Sequence, residues 1–178
     1  SLREMAPDEP FKVSVNPSMG VHGARVHEAQ RQPPKEGEVE VRASIWALNF
    51  RDVLVAVGAI PMEVAGQTLG IGGECYGEVA AIGGGVTGLQ VGDKVVALPP
   101  DGLGSYVTVD SRWVSLAPEG LSPEEAVAGT AVYATAWLGL IWQARICEGD
   151  RVLIHSAAGG VGLAAVHLCM RAGGEVFV

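Results

Sequence analysis

The sequence has few basic residues and no long apolar run. Its 12 Lys and Arg are outnumbered by 20 Asp and Glu, which gives a formal net charge of −8. Because nucleic-acid binding depends on basic side chains that neutralise phosphates, this composition argues against a nucleic-acid partner. No run reaches the roughly 18 consecutive apolar residues that would suggest a membrane span. We therefore expect a soluble protein that binds neither nucleic acid nor membrane.

Cysteine is also scarce. The three cysteines, Cys75, Cys147 and Cys169, are too far apart in sequence for a closely spaced metal set and too few for a disulfide framework. The N-terminus lacks the layout of a secretory signal peptide. These absences predict a cytoplasmic location, where thiols remain reduced.

Glycine, in contrast, is abundant, with 25 residues that lie mostly between short Val-rich runs. Alternation from Val39 to Ile45 predicts a half-buried strand, and residues 47–58 follow with apolar residues at helical spacing. Residues 58–73 are expected to form a loop, and residues 1–32 a linker apart from a strand at 11–15. Further short strands are predicted at 78–82, 94–98, 106–109 and 113–116. Such a series is typical of a compact barrel-like or sandwich-like β domain.

The character of the chain changes at Ser122-Pro123-Glu124-Glu125. Serine as N-cap, proline at the first helical position and glutamate three residues after the cap form a capping box. An apolar helical stretch follows from Ala126 to Ile141. We therefore place a domain boundary near Leu121, between domains 1–121 and 122–178.

The second domain is predicted to be a strand–helix–strand unit. A strand at 151–155 leads into small residues, then into a helical pattern that Gly173-Gly174 ends, and a second strand begins at Glu175. The dinucleotide-binding fingerprint fits as Ala157-x-Gly159-x-x-Gly162, with alanine at the first glycine position. Small residues there let backbone N–H groups approach a pyrophosphate at the helix N-terminus. The alternative is a Gly-rich turn with no ligand.

The acidic residue that would contact the ribose of NAD is expected about 20 residues after the turn. That position falls at or beyond Val178, so this feature does not distinguish NAD from NADP. Because the sequence stops within the second strand, we expect it to be a piece of a longer protein with a truncated nucleotide-binding domain.

Five segments together resemble the medium-chain dehydrogenase/reductase superfamily, and most of all the enoylreductase domains of modular polyketide synthases and related fatty acid synthases. The segments are Asn49-Phe50-Arg51-Asp52, Gly72-Gly73-Glu74, Val91-Gly92-Asp93-Lys94-Val95, Thr135-Ala136-Trp137 and Ala157-Ala158-Gly159-Gly160-Val161-Gly162. The resemblance implies an α/β protein: a GroES-like β-rich domain, then the first βαβ unit of a Rossmann domain, with the active site in the cleft between the domains.

The same resemblance implies the chemistry. It suggests NADPH-dependent reduction of the 2,3-double bond of an enoyl thioester carried by an acyl carrier protein. The other domains of the same synthase would be further partners, and a homodimer is left open. Zinc-dependent relatives have a cysteine within the region of Asn49 to Asp52 and a histidine at the position of Gly73. Neither ligand is present here, so we predict that there is no metal.

The resemblance also implies the site residues. Asn49, Arg51 and Asp52 are the catalytic candidates. The cofactor-binding candidates are Thr135, His155, Ser156, Ala157, Ala158, Gly159, Gly160, Val161 and Gly162.

Several of these candidates have alternative roles. Asn49 could be a helix cap, Thr135 could bond to its own helix backbone, and His155 could be a satisfied core histidine. Arg51 and Asp52 could equally form an exposed ion pair. Where many relatives have a Tyr-Pro pair linked to proton delivery, this sequence has Ile60-Pro61, which leaves water or a group further along the chain as the proton donor.

Two other functions remain open at this point. A stand-alone NADPH quinone oxidoreductase would share the zinc-free pattern and the small-residue turn. A non-catalytic structural module of a synthase would retain the fold without turnover. Activity on enoyl thioesters or on quinones distinguishes the three.

Overall fold

The computed structural model describes residues 9–61, 63–64, 67–68, 70–100 and 102–178. Its contacts divide the chain into two compact units, Ser1–Val127 and Ala128–Val178. The division falls inside the helix that begins just after the predicted boundary near Leu121.

The first unit is built mainly of strands. They are β1 (Phe11–Ser14), β2 (Arg25–Glu28), β3 (Glu38–Ala47), β4 (Glu63–Val64), β5 (Gln67–Thr68), β6 (Glu74–Ile82), β7 (Lys94–Ala97), β8 (Tyr106–Asp110) and β9 (Val114–Leu116). Five of them form an antiparallel sheet in the order β8-β3-β6-β7-β9. The helix α1 (Phe50–Ala56) follows β3.

The core of this unit lies on one face of the five-stranded sheet. Alternation along β3 buries Val39 and Val41 completely. The core cluster comprises Val39, Val41, Cys75, Val79, Val95, Ala97, Val107 and Val109. Register shifts between β3 and β6, at Glu40/Val41 and Ala43/Ile45, are typical of bulges that bend a sheet. The predicted β-rich domain is thereby confirmed.

The sequence placed the start of β6 at Glu78, but the strand begins at Glu74. The reason is Gly77: a Cβ there would lie 2.3 Å from the Arg42 carbonyl oxygen, so glycine is what lets β3 and β6 approach. A glycine inside a strand interrupts the alternation from which strands are predicted. The residues at 74–77 are nevertheless paired with β3, from Cys75 opposite Trp46 to Gly77 opposite Ala43.

Two other stretches differ from the expectation. The strand predicted at 11–15 is confirmed as β1, but the remainder of the segment expected to be a linker contains β2, which pairs with β1, and the Phe11 N–H donates to Ser105 Oγ at 2.9 Å. The loop expected at 58–73 contains β4 and β5, which pair with each other over two residues each. β2, β4 and β5 are only two to four residues long, which is too short for a clear alternation of apolar and polar residues in the sequence.

The predicted capping box is confirmed. The Ser122 N–H donates to Glu125 Oε2 at 2.8 Å, and the Glu125 N–H donates to Ser122 Oγ at 3.2 Å. The helix α2 (Pro123–Trp137) follows and crosses the division between the units. A π-helix over Leu138–Gln143 then replaces the end of the predicted helical stretch.

The remainder of the second unit is the predicted strand–helix–strand arrangement. β10 (Arg151–Leu153), α3 (Gly160–Arg171) and β11 (Glu175–Phe177) follow in order, and β10 pairs with β11 in parallel. The α/β architecture, with an antiparallel β domain before the start of a parallel sheet, is therefore confirmed. The buried core of this unit comprises Ala136, Ile154, Ala164, Ala165 and Cys169. Among the helices of the described chain, none has the length and apolar character to span a membrane.

Candidate functional site

The small-residue turn links β10 to α3. The Gly159 N–H donates to the Ser156 carbonyl at 2.9 Å, and Gly159 is the N-cap of α3. The Leu163 N–H donates to the Gly159 carbonyl at 2.8 Å. The N–H groups of Gly160, Val161 and Gly162 precede that bond, so helix geometry gives them no partner within the helix. They can bind an anion at the positive end of the helix dipole.

The turn is tightly packed on itself. A Cβ on Gly162 would lie 2.2 Å from the Ser156 carbonyl oxygen and 2.7 Å from Ala157 Cα, so no larger residue fits there without moving the backbone. Ser156 itself has a φ of 55°, in the left-handed region that favours glycine. On its outer side the turn is open, since Ser156, Ala158, Gly159, Gly160 and Val161 are all exposed. This combination fits a pyrophosphate.

Two further cofactor candidates lie in the second unit. His155 follows the end of β10 and is exposed in this chain. The Thr135 hydroxyl donates to the Ala131 carbonyl at 2.8 Å, as the back-bonding alternative requires, while the side chain is exposed. The hydroxyl oxygen can still accept a hydrogen bond. A cofactor role for either residue stays a prediction.

The first unit contains the catalytic candidates, of which Asp52 is the most deeply placed. Its side chain is 4% exposed. Its Oδ2 accepts from the Asn49 N–H at 2.7 Å, and its Oδ1 accepts from the Gly72 N–H at 3.2 Å. A buried carboxylate is stable only when donors surround it, and here they come from two separate segments. Asp52 therefore ties the start of α1 to the loop that precedes β6.

Arg51 lies beside that carboxylate. Its Nη2 is 3.3 Å from Asp52 Oδ1 and donates to the Gly70 carbonyl at 3.4 Å, and its side chain is 34% exposed. The pair is thus neither a free surface ion pair nor fully buried. Asn49 is the N-cap of α1 in extended conformation, and its side chain is half-buried. The Asn49 cap position is confirmed, and its part in chemistry stays a prediction.

The sequence did not predict which residues contact Arg51 and Asp52. Gly70, Gly72 and Gly73 follow a long loop, and nothing in the local pattern says which helix they approach. The one available signal was the run of residues without side chains just before a strand, which indicates close backbone approach.

Among the described residues, no group of three or more His, Cys, Asp or Glu side chains is arranged to hold a metal ion.

Comparison with known proteins agrees with these features. The alcohol dehydrogenase GroES-like domain family matches residues 35–129, just over half of the chain. The phthioceranic/hydroxyphthioceranic acid synthase of Mycobacterium tuberculosis is 45% identical over 148 residues, which are 83% of this chain and 7% of the synthase. The chain thus spans only a small part of the curated relatives it matches.

Two solved structures are similar over most of the chain. The CurK enoyl reductase has a TM-score of 0.86 and 37% identity, and the match covers 96% of this chain and 54% of CurK. The mycobacterial protein Rv1454c, solved in complex with NADPH, has a TM-score of 0.81 and 29% identity, with 93% of this chain and 51% of that protein covered. The matched family and these similarities show that the chain belongs to the medium-chain dehydrogenase/reductase superfamily of oxidoreductases and is an enoylreductase-like domain within it.

Proposed function

We propose that the chain is part of a zinc-independent enoyl reductase of a polyketide synthase, which uses NADPH to reduce the 2,3-double bond of an enoyl thioester on an acyl carrier protein. The observation that carries the proposal is the crowded turn at the start of α3, where a Cβ on Gly162 would meet backbone at 2.2 Å. This glycine lets the helix pack closely on the turn, which brings the free N–H groups of the helix N-terminus to the place where a pyrophosphate would bind. Its occurrence in a chain similar to polyketide synthases and to an enoyl reductase supports the reaction.

The cofactor would be held by the second unit. The N–H groups of Gly160, Val161 and Gly162 would bind the pyrophosphate, and the small residues Ser156 to Gly159 would leave room for it. The Thr135 hydroxyl donates to the Ala131 carbonyl, so its oxygen would be free to accept a hydrogen bond from the carboxamide of the nicotinamide. His155, which is exposed at the turn, would also contact the cofactor. When bound, NADPH supplies a hydride to the β-carbon of the substrate.

The substrate carbonyl would be polarised by the first unit. Negative charge develops on the thioester oxygen as the β-carbon is reduced, and hydrogen-bond donors fixed near that oxygen lower the barrier. Arg51 supplies a guanidinium and Asn49 an amide for this purpose, while Asp52 holds both residues in place.

The proposal is tested by NADPH oxidation in the presence of crotonyl-pantetheine, followed by absorbance. We expect Arg51→Met to lower kcat by about 10²-fold, as loss of one transition-state donor does elsewhere. The matched control is Arg112→Met, because Arg112 is an exposed arginine paired with Asp110. A zinc chelator should leave the rate unchanged.

Other outcomes would point to other functions. Oxidation of NADPH by quinones but not by the thioester would favour a quinone oxidoreductase. If neither substrate is reduced by the wild-type protein and NADPH does not bind, the structural-module hypothesis replaces this one.

A further inference from the structure

The position of Gly73 determines where the Arg51 guanidinium can lie. A Cβ added to Gly73 would be 2.9 Å from Arg51 Nη2, closer than Cβ atoms pack in practice, and 3.5 Å from Arg51 Cζ, which is an ordinary contact distance. The guanidinium therefore rests against the bare backbone of Gly73. The two residues are far apart in sequence, and only the approach of the loop before β6 to α1 brings them together.

The neighbouring groups fix the same end of the guanidinium. Nη2 contacts Asp52 Oδ1 and the Gly70 carbonyl, and Asp52 is itself held by the N–H groups of Asn49 and Gly72. Gly72 has a φ of 84°, and a Cβ there would lie 2.7 Å from the Leu103 backbone N, so this loop has little freedom to move. Nε also faces Gly73, at 3.9 Å from the position of the added Cβ, whereas Nη1 has no hydrogen-bond partner within the described part of the chain.

We propose that Gly73 and Asp52 are positioning residues that hold the Arg51 guanidinium by the edge that carries Nε and Nη2, so that its Nη1 donors remain available to the thioester oxygen. The inference rests on the proposed function for its substrate, but the fixed position of the Arg51 guanidinium is a property of the first unit alone. A donor fixed in advance is worth more than a mobile one, because no reorganisation is needed as charge develops.

The test is Gly73→Ala, with Gly84→Ala as its matched control. The added methyl displaces the end of a flexible side chain, so the fold is expected to survive, whereas a Cβ at Gly84 meets nothing within 4 Å. We expect kcat on crotonyl-pantetheine to fall by about 10²-fold in Gly73→Ala, as misplacement of a catalytic group does. KM for NADPH and the melting temperature should remain those of the Gly84→Ala protein.

A double variant separates positioning from other effects of the methyl group. In an Arg51→Met background, Gly73→Ala should cause no further loss of kcat, because the group it displaces is gone. Additive losses in the double variant would overturn the inference. Asp52→Asn should cause part of the same loss of kcat. The NH₂ group of asparagine replaces one of the two carboxylate oxygens, which now face the Asn49 N–H, the Gly72 N–H and Arg51 Nη2.

A measurement without turnover tests separately whether the Arg51 guanidinium is held in one position and whether the proposed function is correct. In NMR spectra of the arginine side chains, the signals that disappear in Arg51→Lys belong to Arg51. We expect its Nη signals to be separate in the wild-type protein and in Gly84→Ala, because Nη2 is held, and averaged in Gly73→Ala. Averaged signals in the wild-type protein would show that the Arg51 guanidinium is not held and would overturn the inference. Separate signals in a protein that does not reduce thioesters would refute only the proposed function.

Discussion

Among single residues, Gly162 is the one on which the cofactor turn depends most. Gly162→Ala places a methyl group 2.2 Å from the Ser156 carbonyl oxygen and 2.8 Å from the Ala157 carbonyl carbon, and neither backbone atom can yield without opening the turn. We expect the substitution to destabilise the protein by about 3 kcal/mol, in the range of other overpacked sites. NADPH binding should weaken at least tenfold. Urea unfolding and fluorescence titration with NADPH measure the two effects.

Gly139→Ala is the control, since a Cβ at Gly139 meets nothing within 4 Å. It should leave both quantities close to wild type. Retention of NADPH affinity by Gly162→Ala would mean that the cofactor does not use this turn.

Single residues also show what sequence alone can and cannot reveal. The need for Gly162 was predictable, because the order of strand, small-residue turn and helix lies within one continuous segment. The contact of Gly73 with Arg51 was not, because it depends on how a loop folds back over α1. Likewise, the sequence could offer Asp52 as half of an exposed ion pair or as a cleft contact, and only the structure shows that it is buried among backbone donors.

At the level of elements, the capping box at the start of α2 gives a prediction. Ser122→Ala removes the oxygen that accepts the Glu125 N–H at 3.2 Å and leaves that donor without its cap. We expect a loss of about 1 kcal/mol in the free energy of unfolding, as for other serine caps. Ser122→Asp should retain most of the stability, because its carboxylate accepts the same bond and favours the helix N-terminus. Urea unfolding followed by circular dichroism provides the comparison.

The control for this prediction is Ser115→Ala. Ser115 is exposed, and its hydroxyl donates to the carbonyl of the next residue, Leu116, at 3.3 Å. Equal stability losses in the two alanine variants would show that Ser122 does not act through the cap.

The end of the same helical region was not predictable. Trp137 and Trp142 are five residues apart, which places them about 140° apart around an α-helix. In the protein the chain changes to a π-helix there, and the two rings stack with centroids 6.1 Å apart and an interplanar angle of 29°. An apolar run of this kind predicts a helix but not its hydrogen-bond register. The capping box was predictable because its residues are local and specific, whereas no local pattern of this kind marks the start of the π-helix.

In the molecule as a whole, the thiols report on both units. Cys75 belongs to the core of the first unit and Cys169 to that of the second, and both are fully buried, while Cys147 is exposed. We expect iodoacetamide to modify only Cys147 in the native protein, and all three in urea.

The Cys147 thiol bonds the Asp150 carboxylate at 3.4 Å, and that hydrogen bond and the negative charge raise the pKa of the thiol. Alkylation should therefore be slow and should accelerate in Asp150→Asn.

Peptide mass spectrometry identifies the modified residue in each case. Rapid native labelling of Cys75 or Cys169 would contradict the packing of the corresponding core. An unchanged rate in Asp150→Asn would show that the carboxylate does not control the Cys147 thiol.

The same burial predicts how stability depends on pH at the alkaline end. Burial raises the pKa of the Cys75 thiol from 9.0 to about 12, because the core disfavours the thiolate. Between these values the unfolded chain releases a proton that the folded chain retains, so the Cys75 contribution is fully present below about pH 9 and is lost as pH rises toward 12. In Cys75→Ala that part of the decline disappears, although the variant is less stable throughout because of the cavity it leaves. Urea unfolding of both proteins at several pH values gives the two slopes, and parallel slopes would show that ionisation of Cys75 does not contribute.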